Sequence, residues 1–271
     1  MPELPEVETV RAGISPHLIG AKIGAIEIRN DRLRYPIPKA IESLYGAEIM
    51  AIERRAKYLI LYTEKHKVLI HLGMSGAIRI VENEGDLEWQ KHDHFIMQMD
   101  NDQLMVYHDP RRFGFILLYD REAEIPFLEK LAPEPLSDAF STDYLFAKLN
   151  SRTRPIKSVV MDQAFVVGAG NIYANESLFM AGIHPERPAN NLNREEVERL
   201  VSAIKAVLTR AITQGGTTLK DFTTPDGHPG YFAQELLVYG QKGQPCALCQ
   251  TPIERIVLGN RATYFCPQCQ K

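Results

Sequence analysis

The chain is 271 residues long, more than one domain of roughly 100–200 residues needs, and so has room for two domains and an appendage. Its 45% hydrophobic and 24% charged residues are those of a globular protein and exclude a disordered, collagen-like or coiled-coil chain. The sum of 31 basic and 34 acidic side chains is −3, which argues mildly against a nucleic-acid partner, but residues 1–150 hold 18 basic and 24 acidic groups while 201–271 hold 7 and 4.

After Pro2-Glu3-Leu4-Pro5, the stretch Glu6–Ile19 places Val7, Val10, Ile14 and Leu18 at spacings of three and four. This predicts an amphipathic helix that starts at Pro5 and stops at Gly20. From Ile23 to Tyr119 the pattern changes to short runs separated by glycine and Asn/Asp clusters: Ile23–Ile28, Tyr58–Tyr62, Val68–Leu72, Ala77–Val81, His94–Met99, Leu104–Tyr107 and Phe115–Tyr119. These predict an antiparallel β-sandwich or barrel. Pro126, Pro133 and Pro135 mark a break, and beyond it the period is helical, with short helices expected at Thr142–Asn150, Ile156–Gln163 and Asn171–Ala181. Asn193, followed three residues later by Glu196, opens a longer helix whose apolar positions run from Val197 to Ala211 and which stops at Gly215-Gly216. The expected division is residues 1–132, 133–236 and 237–271.

The longest stretch free of charge, Gln163–Asn175, is 13 residues, short of the roughly 18–20 that a bilayer demands. Glu3, Glu6 and Glu8 stand where a signal peptide would carry positive charge. Together these predict a cytoplasmic protein with no membrane partner.

All four cysteines lie in the last 26 residues, as Cys246-x2-Cys249 and Cys266-x2-Cys269. Two such knuckles suit one tetrahedral zinc ion, and four protein ligands leave it no open position, so the metal is expected to hold structure and perform no chemistry. Between the knuckles, Ile253–Leu258 and Arg261–Phe265 read as a hairpin turning at Gly259-Asn260, with Arg261 beside its tip.

A zinc ribbon names no function by itself. Met1-Pro2-Glu3-Leu4-Pro5-Glu6-Val7-Glu8-Thr9-Val10, Lys57, His71-Leu72-Gly73-Met74-Ser75-Gly76, Asp109-Pro110-Arg111-Arg112-Phe113-Gly114, Gly168-x-Gly170-Asn171-Ile172-Tyr173-Ala174-Asn175-Glu176 and the four-cysteine tail occur in one consistent order. With these motifs the chain closely resembles the bacterial formamidopyrimidine-DNA glycosylases from its first residue to its last. The resemblance implies an α+β multidomain fold: an N-terminal antiparallel β-sandwich with flanking helices, a helical helix–two-turns–helix domain, and a zinc β-hairpin. It implies a monomer that acts on damaged double-stranded DNA in bacterial base-excision repair, removing 8-oxoguanine and formamidopyrimidines and then nicking the strand.

The first two residues carry a chemical argument of their own. Removal of Met1, which a small second residue allows, leaves Pro2 with a secondary amine, and α-amino groups titrate near 7.7–8.0, so part of it is a nucleophile at neutral pH. Attack on a sugar C1′ gives an iminium with no N–H to lose, an electron sink that favours loss of the base and then of the 3′ phosphate. Glu3 is the adjacent group that moves protons to the opened ribose. Without the other motifs, Pro2 and Pro5 would read better as a helix start and the glutamates as partners of its dipole.

Further roles follow from the resemblance. Lys57 assists β-elimination and contacts phosphate; Arg261 assists δ-elimination and grips phosphates beside the lesion. Met74, Arg111 and Phe113 fill the gap an everted nucleotide leaves, a flexible plug, a hydrogen-bonding group for the orphaned base and a wedge between base steps. His92, Arg111, Arg152 and Asn171 contact phosphate, and Asn171 follows Gly168-x-Gly170 at a helix start, where backbone N–H groups favour an anion. His71 belongs with these DNA contacts. The loop Thr217–Tyr231 closes over the everted base, with Glu6, Ile172 and Tyr239 as pocket neighbours. One departure is Gln250 after Cys249, where the family often has glycine and the knuckle wants a positive φ. Two rivals remain open: an endonuclease VIII-type enzyme for oxidised pyrimidines, and a non-catalytic zinc-ribbon DNA-binding protein.

Overall fold

The structure, a computed structural model, describes residues 2–217 and 232–271; the segment 218–231, which holds most of the expected closing loop, lies outside the described residues. The described residues pack as two compact units, one of those within 1–128 and 214–231, the other of those within 129–213 and 232–271.

The first unit opens with α1 (Leu4–Leu18), whose Val7, Val10, Ile14 and Leu18 are buried as their spacing requires. Gly20 follows with φ +86, a backbone state that costs glycine nothing, and turns the chain towards the sheets. Among the described residues, eight strands form two four-stranded antiparallel sheets. One has the order β1 (Ile23–Ile28), β6 (Asp93–Met99), β7 (Leu104–His108), β5 (Ala77–Val81); the other has β2 (Ala51–Arg55), β3 (Tyr58–Tyr62), β4 (His66–His71), β8 (Phe115–Asp120). Leu59, Leu61, Val68 and Ile70 from the second sheet share one core with Phe95, Met97, Met105 and Tyr107 from the first and with the apolar face of α1. Each such side chain contributes about 1.5–3 kcal/mol. The unit is thus a sandwich with α1 built into its core.

Strand β2 is absent from the sequence expectation because Glu53, Arg54 and Arg55 mask its alternation. It forms because it pairs with β3 in register from Ala51↔Tyr62 to Arg55↔Tyr58. Residues 214–217 belong to the first unit, although the expected division put them in the helical region; the Thr217 N–H donates to Glu6 Oε1 at 2.7 Å and ties them to α1.

The second unit contains α2 (Thr142–Leu149), α3 (Ile156–Val160), α4 (Asn171–Ala181) and α5 (Arg194–Thr213). The cap of α5 is reciprocal: Glu196 N–H donates to Asn193 Oδ1 and Asn193 N–H to Glu196 Oε2, both at 2.9 Å. Helix α4 is buried on nearly every side and ends at Gly182, φ +70. Helix α3 stops at Val160, short of the expected Gln163, because the Asp162 carboxylate caps the Ala164 N–H at 3.0 Å while its carbonyl receives Phe165 and Val166. The unit closes with a hairpin of β9 (Glu254–Leu258) and β10 (Arg261–Phe265), whose turn residues Gly259 and Asn260 have φ +55 and +59, the pair of left-handed residues that a tight hairpin of this hand demands. No described helix is long and apolar enough to cross a membrane.

Candidate active site and nucleic-acid interface

The N-terminal chemistry is set by how α1 begins. Glu3 is its N-cap in an extended conformation, Pro5 occupies the first turn, and Glu3 and Glu6 form a capping box. Pro2 is buried, and Glu3 and Glu6 are each only 2% exposed, so the residue that would carry the amine is followed along the chain by two buried carboxylates. Both oxygens of Glu6 accept backbone N–H groups, Oε2 from Glu3 at 2.8 Å and Oε1 from Thr217 at 2.7 Å. A Cβ at Gly216, φ +82, would stand 3.0 Å from Glu6 Oε1. The geometry therefore gives Glu6 an organising role: it fixes the start of α1 and the chain entering residue 218.

Lys57 lies in the β2–β3 turn, whose Ala56 has φ +53. Arg54 ties this turn to α1, its Nε donating to Glu8 Oε2 at 2.8 Å and its Nη1 to Ala56 O at 3.0 Å. Lys57 is buried, and its charge bears on His71. That ring stacks on Phe115 at 5.2 Å and packs against Tyr58 at 5.1 Å, and its Nδ1 accepts the Gly73 N–H at 3.1 Å. Burial, then the charges of Lys57 and Arg34, push its pKa down to about 4, so any DNA contact it makes is as a neutral N–H donor.

Above about 6.5 the histidine is neutral whether the chain is folded or not; between about 6.5 and 4 the unfolded chain takes a proton that the folded chain refuses. Stability therefore falls as pH drops through that window. His71→Gln, which keeps an acceptor for Gly73, is expected to flatten this part of the profile. Thermal melts from pH 7 to pH 4 check it, and a slope the variant leaves unchanged contradicts the assignment.

His92 immediately precedes β6, half-buried, with its ring 5.8 Å from that of His108 and 6.2 Å from that of His94. Desolvation, then the charges of His108, Lys91, His94 and Arg112, lower its pKa. Beside it, buried Asp93 accepts both guanidinium nitrogens of Arg79 at 2.8 and 2.7 Å and the His108 Nδ1 at 2.9 Å. Burial pushes the Asp93 pKa up, but the bonds from Arg79, His108 and Gln90 outweigh it and hold the carboxyl well below its usual range. Of the expected gap-filling residues, Met74 is half-buried while Arg111 and Phe113 are exposed, with the guanidinium 5.0 Å from the Phe113 ring centroid. A phenyl ring left 46% exposed on a turn has a large face still to bury, which core packing does not explain.

In the second unit the glycine-rich motif does two things. It begins α4 at Asn171 after Gly170, and it fastens the zinc hairpin. Asn171 Nδ2 donates to Ala262 O at 3.0 Å, and Asn175 Oδ1 accepts the Tyr264 N–H at 2.7 Å. Glu176 accepts the N–H groups of Leu237, Val238 and Tyr239 at 2.8 to 3.0 Å; burial raises its pKa against their pull. Lys157, which the sequence did not single out, is 1% exposed, and its ammonium donates to Asn171 Oδ1 at 2.7 Å, Thr263 Oγ1 at 2.6 Å and Ala262 O at 3.1 Å. Three hydrogen-bonding side chains thus hold β10, and with it exposed Arg261, against the start of α4. Because the Asn171 side chain is engaged in this way, its main-chain N–H is the group best suited to a phosphate. Arg152 is exposed with its guanidinium 5.2 Å from the Phe165 ring. Ile172 is buried in the helical core and Tyr239 packs on Tyr264 at 5.2 Å.

The four cysteine sulfurs lie within 4.8 Å of one another, with Cys246 and Cys269 at 3.9 Å and Cys249 and Cys266 at 3.4 Å. Four thiolates about 2.3 Å from zinc would be spaced by about 3.8 Å, so the set fits the ion, and it holds one structural zinc. The N–H groups of Leu248 and Cys269 donate to Cys246 and Cys266 sulfur at 3.4 Å, orienting the ligands. Gln250 adopts φ +64, as the knuckle requires, and its N–H and side-chain amide both donate to Cys246 O, at 2.9 and 3.3 Å.

Three family models match the chain in order: the formamidopyrimidine-DNA glycosylase N-terminal domain over residues 1–116, the formamidopyrimidine-DNA glycosylase H2TH domain over 131–223, and the zinc finger found in FPG and IleRS over 243–271. A formamidopyrimidine-DNA glycosylase of Enterobacter sp. (strain 638) is 54% identical over 272 residues and all of both chains. Among solved structures, a mutant Lactococcus lactis FPG in complex with a Fapy-dG containing DNA superposes with a TM-score of 0.92 at 35% identity over all of both chains. The MutM (FPG) protein from Thermus thermophilus superposes with a TM-score of 0.89 at 39% identity, over 99% of this chain and 98% of that one.

Proposed function

The chain belongs to the formamidopyrimidine-DNA glycosylase family, and on that footing we propose how its own residues excise oxidised purines from duplex DNA. It is a bifunctional DNA glycosylase and AP lyase of base-excision repair, a monomer acting on damaged double-stranded DNA. We place its work in the cytoplasm, on nucleoid DNA. Residues 1–132 supply Pro2, Glu3 and Lys57, the helical region that begins at 133 adds to the grip on the duplex, and 237–271 form the zinc hairpin that presents Arg261. The zinc supplies a cross-link and takes no part in bond making.

The observation that carries the residue assignment is the buried start of α1, where Pro2 stands directly before the Glu3–Glu6 capping box. With Met1 gone, the lone pair of the Pro2 nitrogen forms a bond to C1′ of an everted nucleotide and the base leaves with the electrons of the glycosidic bond. The nitrogen, having given its proton to the departing base, forms a double bond to C1′ as the C1′–O4′ bond breaks, and Glu3 delivers the proton that O4′ takes up. The iminium then acidifies C2′; loss of that proton expels the 3′ phosphate, with Lys57 beside the departing group. A second elimination, assisted by Arg261, expels the 5′ phosphate. Met74, Arg111 and Phe113 occupy the gap in the stack, while His92, Arg152 and the α4 start hold phosphates.

Excision from matched duplexes tests the substrate. Single-turnover rates for 8-oxoguanine are expected to exceed those for thymine glycol by about tenfold or more. A preference for thymine glycol would instead support the oxidised-pyrimidine class, and tight binding of both without nicking would support a non-catalytic binder.

A further inference from the structure

Beneath the exposed Arg111 and Phe113 lies a polar network that no step above uses. Asp109 is 0% exposed, and its carboxylate joins two turns. Oδ1 accepts the Ser75 hydroxyl at 2.6 Å; Oδ2 accepts the Gly114 N–H at 2.9 Å and the Tyr107 hydroxyl at 3.4 Å. Ser75 Oγ in turn accepts the Arg111 N–H at 3.1 Å, so a relay runs from the Arg111 backbone through Ser75 to Asp109. The main chain of Asp109 is held as well, its N–H donating to His92 O at 3.0 Å and its carbonyl paired with His94 Nε2 at 2.9 Å. Tyr107 also reaches the His71 carbonyl at 3.2 Å, and burial, then Asp109, raise its pKa and keep its proton in place.

The backbones of the two turns touch at a separation only glycine permits. A Cβ at Gly73, φ +63, would stand 2.3 Å from Gly114 N and 2.4 Å from the Phe113 carbonyl carbon; one at Gly114 would stand 1.9 Å from the Tyr107 hydroxyl and 2.4 Å from His71 O. Residues 71–76 and 109–114 therefore form one interlocked body with a buried carboxylate at its centre. That body carries Met74 on one turn and Arg111 and Phe113 on the other.

We propose that Asp109, acting through Ser75, is the positioning residue that makes Met74, Arg111 and Phe113 enter the DNA stack as a single preformed wedge. The proposal rests on the reading that these three fill the gap left by the everted nucleotide. Base eversion sacrifices stacking, so a wedge that must first be ordered returns less of that loss than one already fixed. A carboxylate suits the centre because it accepts on both oxygens, whereas an amide has a single acceptor oxygen and would leave either the Ser75 hydroxyl proton or the Gly114 N–H without its acceptor.

The test compares Asp109→Asn and the milder Ser75→Ala with the native protein on two substrates. One is a duplex with 8-oxoguanine opposite cytosine, read as single-turnover base release. The other is a single strand with an abasic site, which has no stack to fill and no orphaned base, read as borohydride-trapped adduct. The ratio of duplex excision to single-strand trapping is expected to fall about tenfold in each variant, as expected when a charged buried hydrogen bond is broken. Phe113→Ala should lower the same ratio, and Ser75→Ala combined with Phe113→Ala should lower it by less than the product of the two single effects. Equal losses on both substrates, or an unchanged ratio, overturn the proposal by leaving Asp109 a purely structural or idle role. If Met74→Ala, Arg111→Ala and Phe113→Ala all leave the ratio unchanged, the gap-filling reading fails and the proposal falls with it. If those three lower it while Asp109→Asn and Ser75→Ala do not, the positioning role alone fails.

Discussion

Blocking the Pro2 amine, by retaining an additional N-terminal residue or by acetylation, is expected to lower base release from an 8-oxoguanine duplex by about a thousandfold or more. The nitrogen supplies the lone pair for the first bond formed, and an acylated nitrogen has none to give, so no downstream residue compensates. Pro2→Gly with a free terminus is the informative companion. It keeps an amine, but a primary one whose adduct can lose its N–H and settle as a neutral imine, a poorer electron sink. Its base release should lie between the native and blocked proteins. The fold should survive both changes, because α1 is held by the Glu3–Glu6 box and by Val7, Val10, Ile14 and Leu18 in the core. Rapid-quench rates together with thermal melts separate lost chemistry from lost structure. Excision that persists in the blocked protein would remove Pro2 from the reaction.

Stripping zinc with a chelator, or making Cys249→Ser, is expected to weaken binding to damaged duplex by about a hundredfold or more while leaving the β-sandwich melt in place. Structural zinc in such modules contributes about 10–16 kcal/mol, far beyond what five-residue strands supply. The hairpin is also held from α3 by Lys157 and from α4 by Asn171 and Asn175, so loss of the metal should free the knuckles and the aim of Arg261 before it disturbs the helices. Anisotropy with labelled duplex, measured beside zinc content, checks this. Native affinity in a protein shown to be metal-free would mean that the hairpin contributes nothing to the grip.

The parts of the fold legible in the sequence are those written locally. The stripe of α1, the Asn193/Glu196 cap of α5 and the Gly259-Asn260 turn each depend on residues within a few positions of one another, and each stands where the spacing put it. The two thiol pairs are likewise local, and only their meeting is a tertiary event. What stayed hidden depends on distant partners. Strand β2 carries Glu53, Arg54 and Arg55 and exists because β3 pairs with it. Lys157 reads as an ordinary helix lysine until Asn171, Ala262 and Thr263 surround its ammonium. Asp109 reads as the start of a turn until Ser75, thirty-four positions away, donates to it. Glu6 reads as a helix-start glutamate until Thr217, far along the chain, donates its N–H to it. No periodicity marks such contacts.

The chain's charge of −3 likewise conceals its placement: Lys57 and Arg111 come from an acidic N-terminal half, Arg152 from the helical region and Arg261 from the ribbon. If these residues grip phosphate, binding should weaken steeply as salt rises.

The central claim is that the Pro2 nitrogen bonds to C1′. Borohydride reduction of the protein with 8-oxoguanine duplex, followed by peptide mapping of the trapped adduct, measures this directly. The DNA remnant is predicted on the N-terminal peptide, at Pro2, and absent when the amine is blocked. A remnant on Lys57, or a yield that blocking leaves undiminished, would contradict it.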